Sequence, residues 1–327
     1  MLADLSSSLS AGLEKDLNIF DFFELSPLGF RDSYITIGNF DGVHRGHQAI
    51  ICKMIQSAKE QNQPILIVTF FPNPADYFNP ELDAFYLSTP KEKEGQLLKL
   101  GVDRVITFRF DRDFANLPPR AFLSGLKHNL GLSKLVVGQD FALGKNRAGT
   151  LPIIKEIGQE MSFSVETIEP VDLGGEEISS TKIRQRLAEG RVADAAEMLG
   201  RPYTVSGEVT HGSDRGSRIG LPTANLTPWK KKKLPAVGVY ATRVLHRGIE
   251  YSGLSNIGFR PTFEKQTLPN METHILGFDG NIYGEKLTLK FIGKIRDEQK
   301  FSGVDAFLAQ IERDKDTARR IFSDDET

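Results

Sequence analysis

Tyr34-Ile35-Thr36-Ile37-Gly38-Asn39-Phe40-Asp41-Gly42-Val43-His44-Arg45-Gly46-His47 is the stretch whose reading decides the fold. Its opening apolar run reads as a buried strand, a glycine-rich turn follows, and two histidines three residues apart open a helix. A helix start presents unpaired N–H groups and the positive end of the peptide dipoles, so anions bind there readily. Glycines let backbone approach a phosphate closely, and paired imidazoles can stabilise charge developing on phosphoryl oxygens. Surface histidines, core histidines or half of a metal site are the plainer readings of His44 and His47. A zinc site would need further ligands, and the other histidines of the six are scattered along the chain. The whole pattern Gly-x-Phe-Asp-Gly-x-His-x-Gly-His, set between a strand and an amphipathic helix, points to nucleotide binding through Gly38, Phe40, Asp41, Gly42, His44 and His47.

Outward from this turn, strand and helix alternate. His47–Glu60 carries Ile50, Ile51, Met54, Ile55 and Ala58 at helical spacing, and Ile65–Phe70 is a continuous apolar run of the kind buried on both faces of a parallel sheet. Ser88-Thr89-Pro90 caps a helix that stops at Gly101; Val102–Phe108, Pro119–Asn129, Lys134–Val137, Leu151–Glu160 and Phe163–Ile168 continue the alternation. The pattern predicts a Rossmann-like α/β domain with a doubly wound parallel sheet, and ligands at the carboxyl ends of its strands, where Gly38–His47 and Val137–Gly144 lie.

From Tyr203 the period changes. Val205–Thr210, Val237–His246, Ile249–Ser255, Glu272–Phe278 and Lys286–Ile295 read as strands separated by turn residues. A final helix carries Val304, Phe307, Leu308, Ile311, Ala318 and Ile321 on one side. This predicts a compact antiparallel β-barrel or sandwich with a terminal helix, and Gly200-Arg201-Pro202 places the boundary between domains 1–201 and 202–327. A length of 327 residues suffices for two cores, and 41 basic against 43 acidic residues give no global field for nucleic acid or anionic membrane. Lys230–Lys233, between prolines, reads as a solvated loop. Cys52, the single cysteine, reads as buried and inert on an apolar helix side and fits a reducing compartment. No run is long enough to span a bilayer and the first residues lack a secretory signal, so a cytoplasmic protein without membrane or nucleic-acid partners is expected.

Four further motifs carry chemistry. In Ile178-Ser179-Ser180-Thr181-Lys182-Ile183-Arg184, two hydroxyls at a helix start can bind phosphate and Arg184 supplies a forked cation, although a plain capped helix would read the same way. Gly212-Ser213-Asp214-Arg215-Gly216-Ser217-Arg218-Ile219-Gly220 is a flexible loop, or one whose backbone wraps phosphates. Thr223 and Asn225 alternate along a short extended segment and offer two neutral oxygens that suit Mg²⁺ together with substrate phosphates. Glu272 sits inside a half-buried strand, as a catalytic base or as part of a structural ion pair.

The His44-x-Gly46-His47 and Ile178–Arg184 elements resemble the nucleotidyltransferase superfamily. In the second half, Pro222-Thr223-Ala224-Asn225, Gly238-Val239-Tyr240, Ser255-Asn256-Ile257-Gly258, Pro261-Thr262-Phe263, Glu272 and Ile295-Arg296-Asp297-Glu298-Gln299-Lys300-Phe301 resemble, in that order, the riboflavin kinase module. In combination the chain is identified as similar to the bacterial bifunctional riboflavin kinase/FMN adenylyltransferase (FAD synthetase) family, from about Tyr34 to Ile321. The resemblance implies transfer of the ATP γ-phosphate to riboflavin with Glu272 as base, Thr223 and Asn225 on Mg²⁺, Gly212, Arg218 and Gly220 over the nucleotide, and Arg296 bordering the flavin. It further implies joining of FMN to AMP, with His44, His47, Ser180, Thr181 and Arg184 cradling phosphates and Asp140 and Asn73 on the flavin side. Three departures stand out: Phe71-Pro72-Asn73-Pro74 where Glu-Pro-His-Pro is usual, Gln139-Asp140-Phe141-Ala142-Leu143 where Glu and a bulkier pair are common, and Ser217 in place of a glycine. The first two touch the flavin side of the adenylyltransferase and leave open a riboflavin kinase with weak or absent second activity. A flavin-binding regulator of nucleic acid would leave Glu272, Thr223 and Asn225 without a purpose.

Overall fold

The runs of apolar residues in the first half are buried on both faces because helices cover both sides of the sheet they form. The structure, a computed structural model, describes residues 18–82, 84–170, 172–211, 220–259 and 269–325. By packing these divide into two units: one holds residues up to Leu82 and Ser88–Ile178, the other residues 84–87 and everything from Ser179 onward. In chain order the first contains β1 (Ile19–Phe20), β2 (Ser33–Ile37), α1 (Arg45–Lys59), β3 (Ile65–Phe71), α2 (Pro74–Phe78), α3 (Pro90–Lys99), β4 (Arg104–Arg109), α4 (Arg112–Ala115), α5 (Pro119–Leu130), β5 (Leu132–Gly138), α6 (Leu151–Met161) and β6 (Ser164–Ile168). A short hairpin, β7 (Asp172–Leu173) and β8 (Glu176–Glu177), follows.

Strands β1 to β6 pair in parallel in the order β1-β4-β3-β2-β5-β6. The chain works outward from β2 through β3 and β4, then returns to the other side of β2 with β5. The crevice of a doubly wound sheet opens at that reversal. Alternate side chains of each strand feed two separate cores. Ile35, Leu66, Ile106 and Leu135 pack with Leu123 and Leu126 of α5 and Ile154 of α6 on one face. Tyr34, Ile67, Val105 and Val136 pack with Ile51 and Met54 of α1 and Leu97 of α3 on the other. Cys52 is exposed, contrary to the sequence expectation. The buried line of α1 runs through Ile51, Met54, Ile55 and Ala58, and a neighbour of Ile51 points about 100° round the helix from it.

The second unit contains α7 (Ser180–Ala188), α8 (Val192–Leu199), β9 (Tyr203–Thr210), β10 (Ala224–Pro228), β11 (Gly238–His246), β12 (Ile249–Gly258), β13 (Asn270–Ile275), β14 (Lys286–Arg296) and α9 (Val304–Asp325). Its six strands close into an antiparallel barrel, β10-β13-β12-β11-β14-β9. Helices α7 and α8 fall with the barrel by packing, so the division between units lies at Ile178, ahead of the change of period at Tyr203. Lys232 is buried, correcting the solvated reading of the basic run: its Nζ donates to Leu87 O at 2.8 Å and lies 5.0 Å above the Tyr203 ring. Inside the barrel, the buried hydroxyls of Thr242, Ser255 and Thr273 bond one another in a row at 2.8 and 2.9 Å.

Helix α9 packs Ile311, Ala318 and Phe322 against Leu221, Ala241 and Leu254, while Val304, expected on the same side, is exposed. Its other anchor is ionic. Asp314, 1% exposed, accepts from Arg296 Nε at 3.0 Å and Nη2 at 2.8 Å, and from Gln310 Nε2 at 2.8 Å. Asp314 is buried and Arg296 half-buried, so Asp314→Ala strands a partly solvated cation and is expected to lower stability of this unit by about 1–3 kcal/mol. Urea unfolding followed by circular dichroism measures this, and an unchanged midpoint would contradict it.

Candidate active sites

The turn after β2 is built from backbone that L-residues resist. Phe40 has φ +48°, Gly42 +80° and Val43 +41°. For a β-branched residue such as Val43 a left-handed conformation is an outlier, of the kind that clusters at functional sites. Side chains over-determine the turn: Gly42 N–H donates to Ser88 Oγ at 3.0 Å, and Asp41 Oδ1 accepts from Ser88 N–H at 3.1 Å and from its hydroxyl at 3.4 Å. Asp41, expected to bind nucleotide, is buried in this bracing role.

The strained turn delivers His44 as the N-cap of α1, without a side-chain cap bond and with no acidic residue in the first helical turn. The first intrahelical bond runs from Gln48 N–H to His44 O, so the N–H groups of the first turn face outward from the helix start. The His44 and His47 rings stack with centroids 3.6 Å apart, and Phe40 meets His47 edge-on at 5.0 Å. Gly46 is what lets the His44 ring fold back, because a Cβ there would sit 3.2 Å from it. Burial, then the neighbouring His44, then Lys93 hold the His47 imidazole well below its ordinary value, so it is neutral near pH 7. His47 Nδ1 is a buried polar atom without a hydrogen-bond partner among the described residues.

Beside the turn, at the reversal between β2 and β5, lies a cavity of about 500 Å³. Gly38 and Asp140, both singled out in the sequence, line it. Its wall is aromatic: Phe70, Phe78, Phe110 and Phe114 contribute, none of which the sequence reading singled out, while Phe40, expected to bind nucleotide, is not among the lining residues. Asn73 does not line the cavity. It is buried and its Oδ1 caps α2 by accepting from Ala75 N–H at 2.9 Å, and the helix it starts brings Pro74 and Phe78 to the wall. Gln139 is exposed and Phe71 buried.

Sequence reading also missed Lys93. This buried lysine on α3 donates from Nζ to Thr69 Oγ1 at 2.8 Å, Asn39 O at 3.1 Å and Phe70 O at 3.4 Å. Burial lowers its pKa to about 8 against the opposing pull of Asp41. The signal was present: α3 turns Pro90, Lys93 and Leu97 inward, so a lysine stands where the helical period calls for an apolar residue.

In the second unit Ser179 caps α7 by accepting from Lys182 N–H at 3.4 Å, with Ser180 and Thr181 in the first helical turn. Arg184 donates from Nε to Phe85 O at 2.8 Å and its guanidinium lies 3.8 Å above the Phe85 ring. On the barrel, register aligns the expected kinase residues. Asn225 stands opposite Glu272, and Glu272 opposite Asn256, so the three side chains point to one side of adjoining strands. Asn270 Nδ2 donates to Glu272 Oε1 at 2.7 Å and reaches Asn225 Oδ1 at 3.5 Å. Thr223 lines a neighbouring hollow of about 120 Å³ with Pro222, Asp279 and Tyr283. Gly220 is not among the residues that line that hollow and has φ +76°. Arg296 is engaged by Asp314, as described above. Gly212, Ser217, Arg218 and Pro261-Thr262-Phe263 lie outside the described residues.

For Mg²⁺, the donor set is chemically apt but incomplete. Asn225 offers a hard neutral oxygen on the strand position opposite Glu272 and Thr223 a second one two residues earlier, while no cluster of three or more His, Cys, Asp or Glu side chains fit to hold a metal occurs among the described residues.

Comparison with known proteins agrees with both halves. The sequence profile of the FAD synthetase family matches residues 28–182 and that of riboflavin kinase matches residues 199–322. The chain is 40% identical over 291 residues to the bifunctional riboflavin kinase/FMN adenylyltransferase of Escherichia coli (strain K12), covering 88% of this chain and 92% of that one. The protein of the same name from Bacillus subtilis (strain 168) is 35% identical over 296 residues, covering 89% and 93%. A crystal structure described as a macrolide-efflux protein from Streptococcus pneumoniae superposes with a TM-score of 0.85 at 30% identity, covering 92% of this chain and 97% of that one. A parallel sheet with a histidine turn and a barrel with an aligned glutamate thus meet in one chain, which belongs to the bifunctional riboflavin kinase/FMN adenylyltransferase family.

Proposed function

We propose that residues 202–327 phosphorylate riboflavin with ATP to give FMN, and that residues 1–201 join FMN to the adenylyl group of a second ATP, giving FAD and pyrophosphate. The observation that carries the second half is the stacked histidine pair at a bare helix start next to a flavin-sized aromatic cavity. Planar isoalloxazine suits a wall of phenylalanines, with Asp140 at its polar edge and Asn73 holding α2 against it. The FMN phosphate attacks the α-phosphorus, and pyrophosphate leaves. His44 and His47, with the N–H groups of α1, hold the phosphoryl oxygens as charge builds on them, while Ser180, Thr181 and Arg184 hold the polyphosphate.

In the kinase half Glu272 accepts the proton of the riboflavin 5′-hydroxyl as its oxygen attacks the γ-phosphorus, oriented for this by Asn270. Thr223 and Asn225 would hold Mg²⁺, which would neutralise phosphate charge. Gly212, Arg218 and Gly220 belong to the loop over the nucleotide, and Arg296, fixed to α9, shapes the flavin border. The cytoplasm is the compartment we assign: no helix among the described residues is long and apolar enough to cross a membrane, and the single cysteine suits a reducing one. Burial of Lys232 within the one basic run fits small-molecule partners rather than nucleic acid.

Two substitutions separate the activities. Glu272→Ala is expected to cut FMN formation from riboflavin by about 10²–10⁴-fold while FAD formation from supplied FMN is retained. His47→Ala should do the reverse, lowering FAD formation by about 10²–10³-fold with kinase activity intact. Chromatography of products over time reads both, and equal loss of the two activities in either variant overturns the two-site assignment.

A further inference from the structure

Lys93 occupies a place that neither sheet nor helix packing requires. It lies in the first turn of α3, where the helix dipole disfavours a cation, and it is buried. Its three N–H donors meet three acceptors from two strand ends: Asn39 O after β2, and Thr69 Oγ1 and Phe70 O on β3. Thr69 Oγ1 also donates to Asn39 O at 3.2 Å, which closes the cluster. Both Asn39 and Phe70 line the 500 Å³ cavity, and Asn39 is the residue directly before the left-handed Phe40. One ammonium therefore fixes the distance between the cavity wall and the turn that carries the histidines.

We propose that Lys93 is a positioning residue of the adenylyltransferase site, clamping the ends of β2 and β3 so that the flavin cavity and the His44–His47 pair keep reacting geometry. This rests on the adenylyltransferase reading above. With all its protons held by protein acceptors, Lys93 acts through the turn and not on substrate. Its charge also reaches His47, which is faced by Lys93 from α3, by His44 from the same turn and by Phe40. Asp41 offsets part of the Lys93 charge. Removing the ammonium relieves one of the influences that keep the His47 ring neutral, so the ring should then protonate at higher pH.

The test uses the full chain with Lys93→Met, which keeps the stem and removes the charge. FAD formation from FMN and ATP, riboflavin phosphorylation in the same preparation, and the His47 titration by NMR of ¹⁵N-histidine are measured together. Misplacement of about 1 Å between reacting groups costs about 100-fold, so kcat for FAD formation should fall by that order. KM values should change by less than about threefold, kinase activity should hold, and the His47 midpoint should move toward the ordinary imidazole value. A kcat within twofold of wild type overturns the proposal, and so does a fall in kcat with the His47 titration unmoved. If Lys93→Met fails to fold, Lys93→Arg decides. A planar guanidinium cannot reproduce three converging ammonium bonds, so its kcat should still fall, whereas wild-type kcat would leave Lys93 a buried charge of the scaffold and defeat the assignment. Wild-type protein that makes no FAD at all would instead defeat the underlying adenylyltransferase reading.

Discussion

The carboxyl end of β2 is where the first unit concentrates its constraints. Phe40, Gly42 and Val43 all hold left-handed backbone within four residues. Non-glycine residues in that region cost of order 1–3 kcal/mol each and persist only where surroundings over-determine them. Here the surroundings are specific: Ser88 grips both Asp41 and the Gly42 N–H, and Lys93 grips Asn39 O. Without them the chain would relax toward ordinary turn geometry, and α1 would begin elsewhere. The stacked histidines, the bare helix start and the rim of the cavity are all consequences of that one held bend.

The barrel solves the corresponding problem without strain. Paired residues on antiparallel strands share a face, so Asn225, Glu272 and Asn256 are aligned by register alone. Closure of the sheet removes edges and slippage, and the buried Thr242–Ser255–Thr273 hydroxyls satisfy one another on the inner side. A proton acceptor for a hydroxyl needs a rigid carboxylate, which a strand supplies. Anion binding needs several N–H groups converging on a point, and a helix start after a tight bend supplies them.

Local signals made most of this legible in the sequence. The turn from Gly38 to His47, the alternation of the first half and the short strands after Tyr203 each follow from period and punctuation. Asn225 and Glu272 were visible as polar residues in extended segments, but their adjacency depends on strand pairing, which a single sequence does not disclose. Cys52 and Lys232 went against expectation for one reason: the helical or loop average hides which neighbour takes the inward position. The aromatic wall was hidden because Phe70, Phe110 and Phe114 come from separate elements and each, alone, reads as core. Helices α7 and α8 followed the α/β alternation in sequence yet pack with the barrel, because packing partners are set by the faces they present and not by their order.

Two buried lysines and one half-buried arginine show how acceptor chemistry sorts structural from functional charge. Arg296 meets a carboxylate through two nitrogens, so the pair is internally neutral and projects little field. Lys232 is closed off by a carbonyl and a tyrosine face beside the 84–87 segment. Lys93 donates to neutral oxygens only, with the Asp41 carboxylate acting on it from beyond hydrogen-bond contact, and its charge reaches His47. Carbonyl and hydroxyl dipoles solvate an ammonium without cancelling its charge, and its depressed value of about 8 records that incomplete compensation. A full carboxylate partner would have anchored the turn equally well but would have screened the charge from His47. The choice of neutral acceptors therefore makes the anchor of the bend also a source of potential at the site the bend creates.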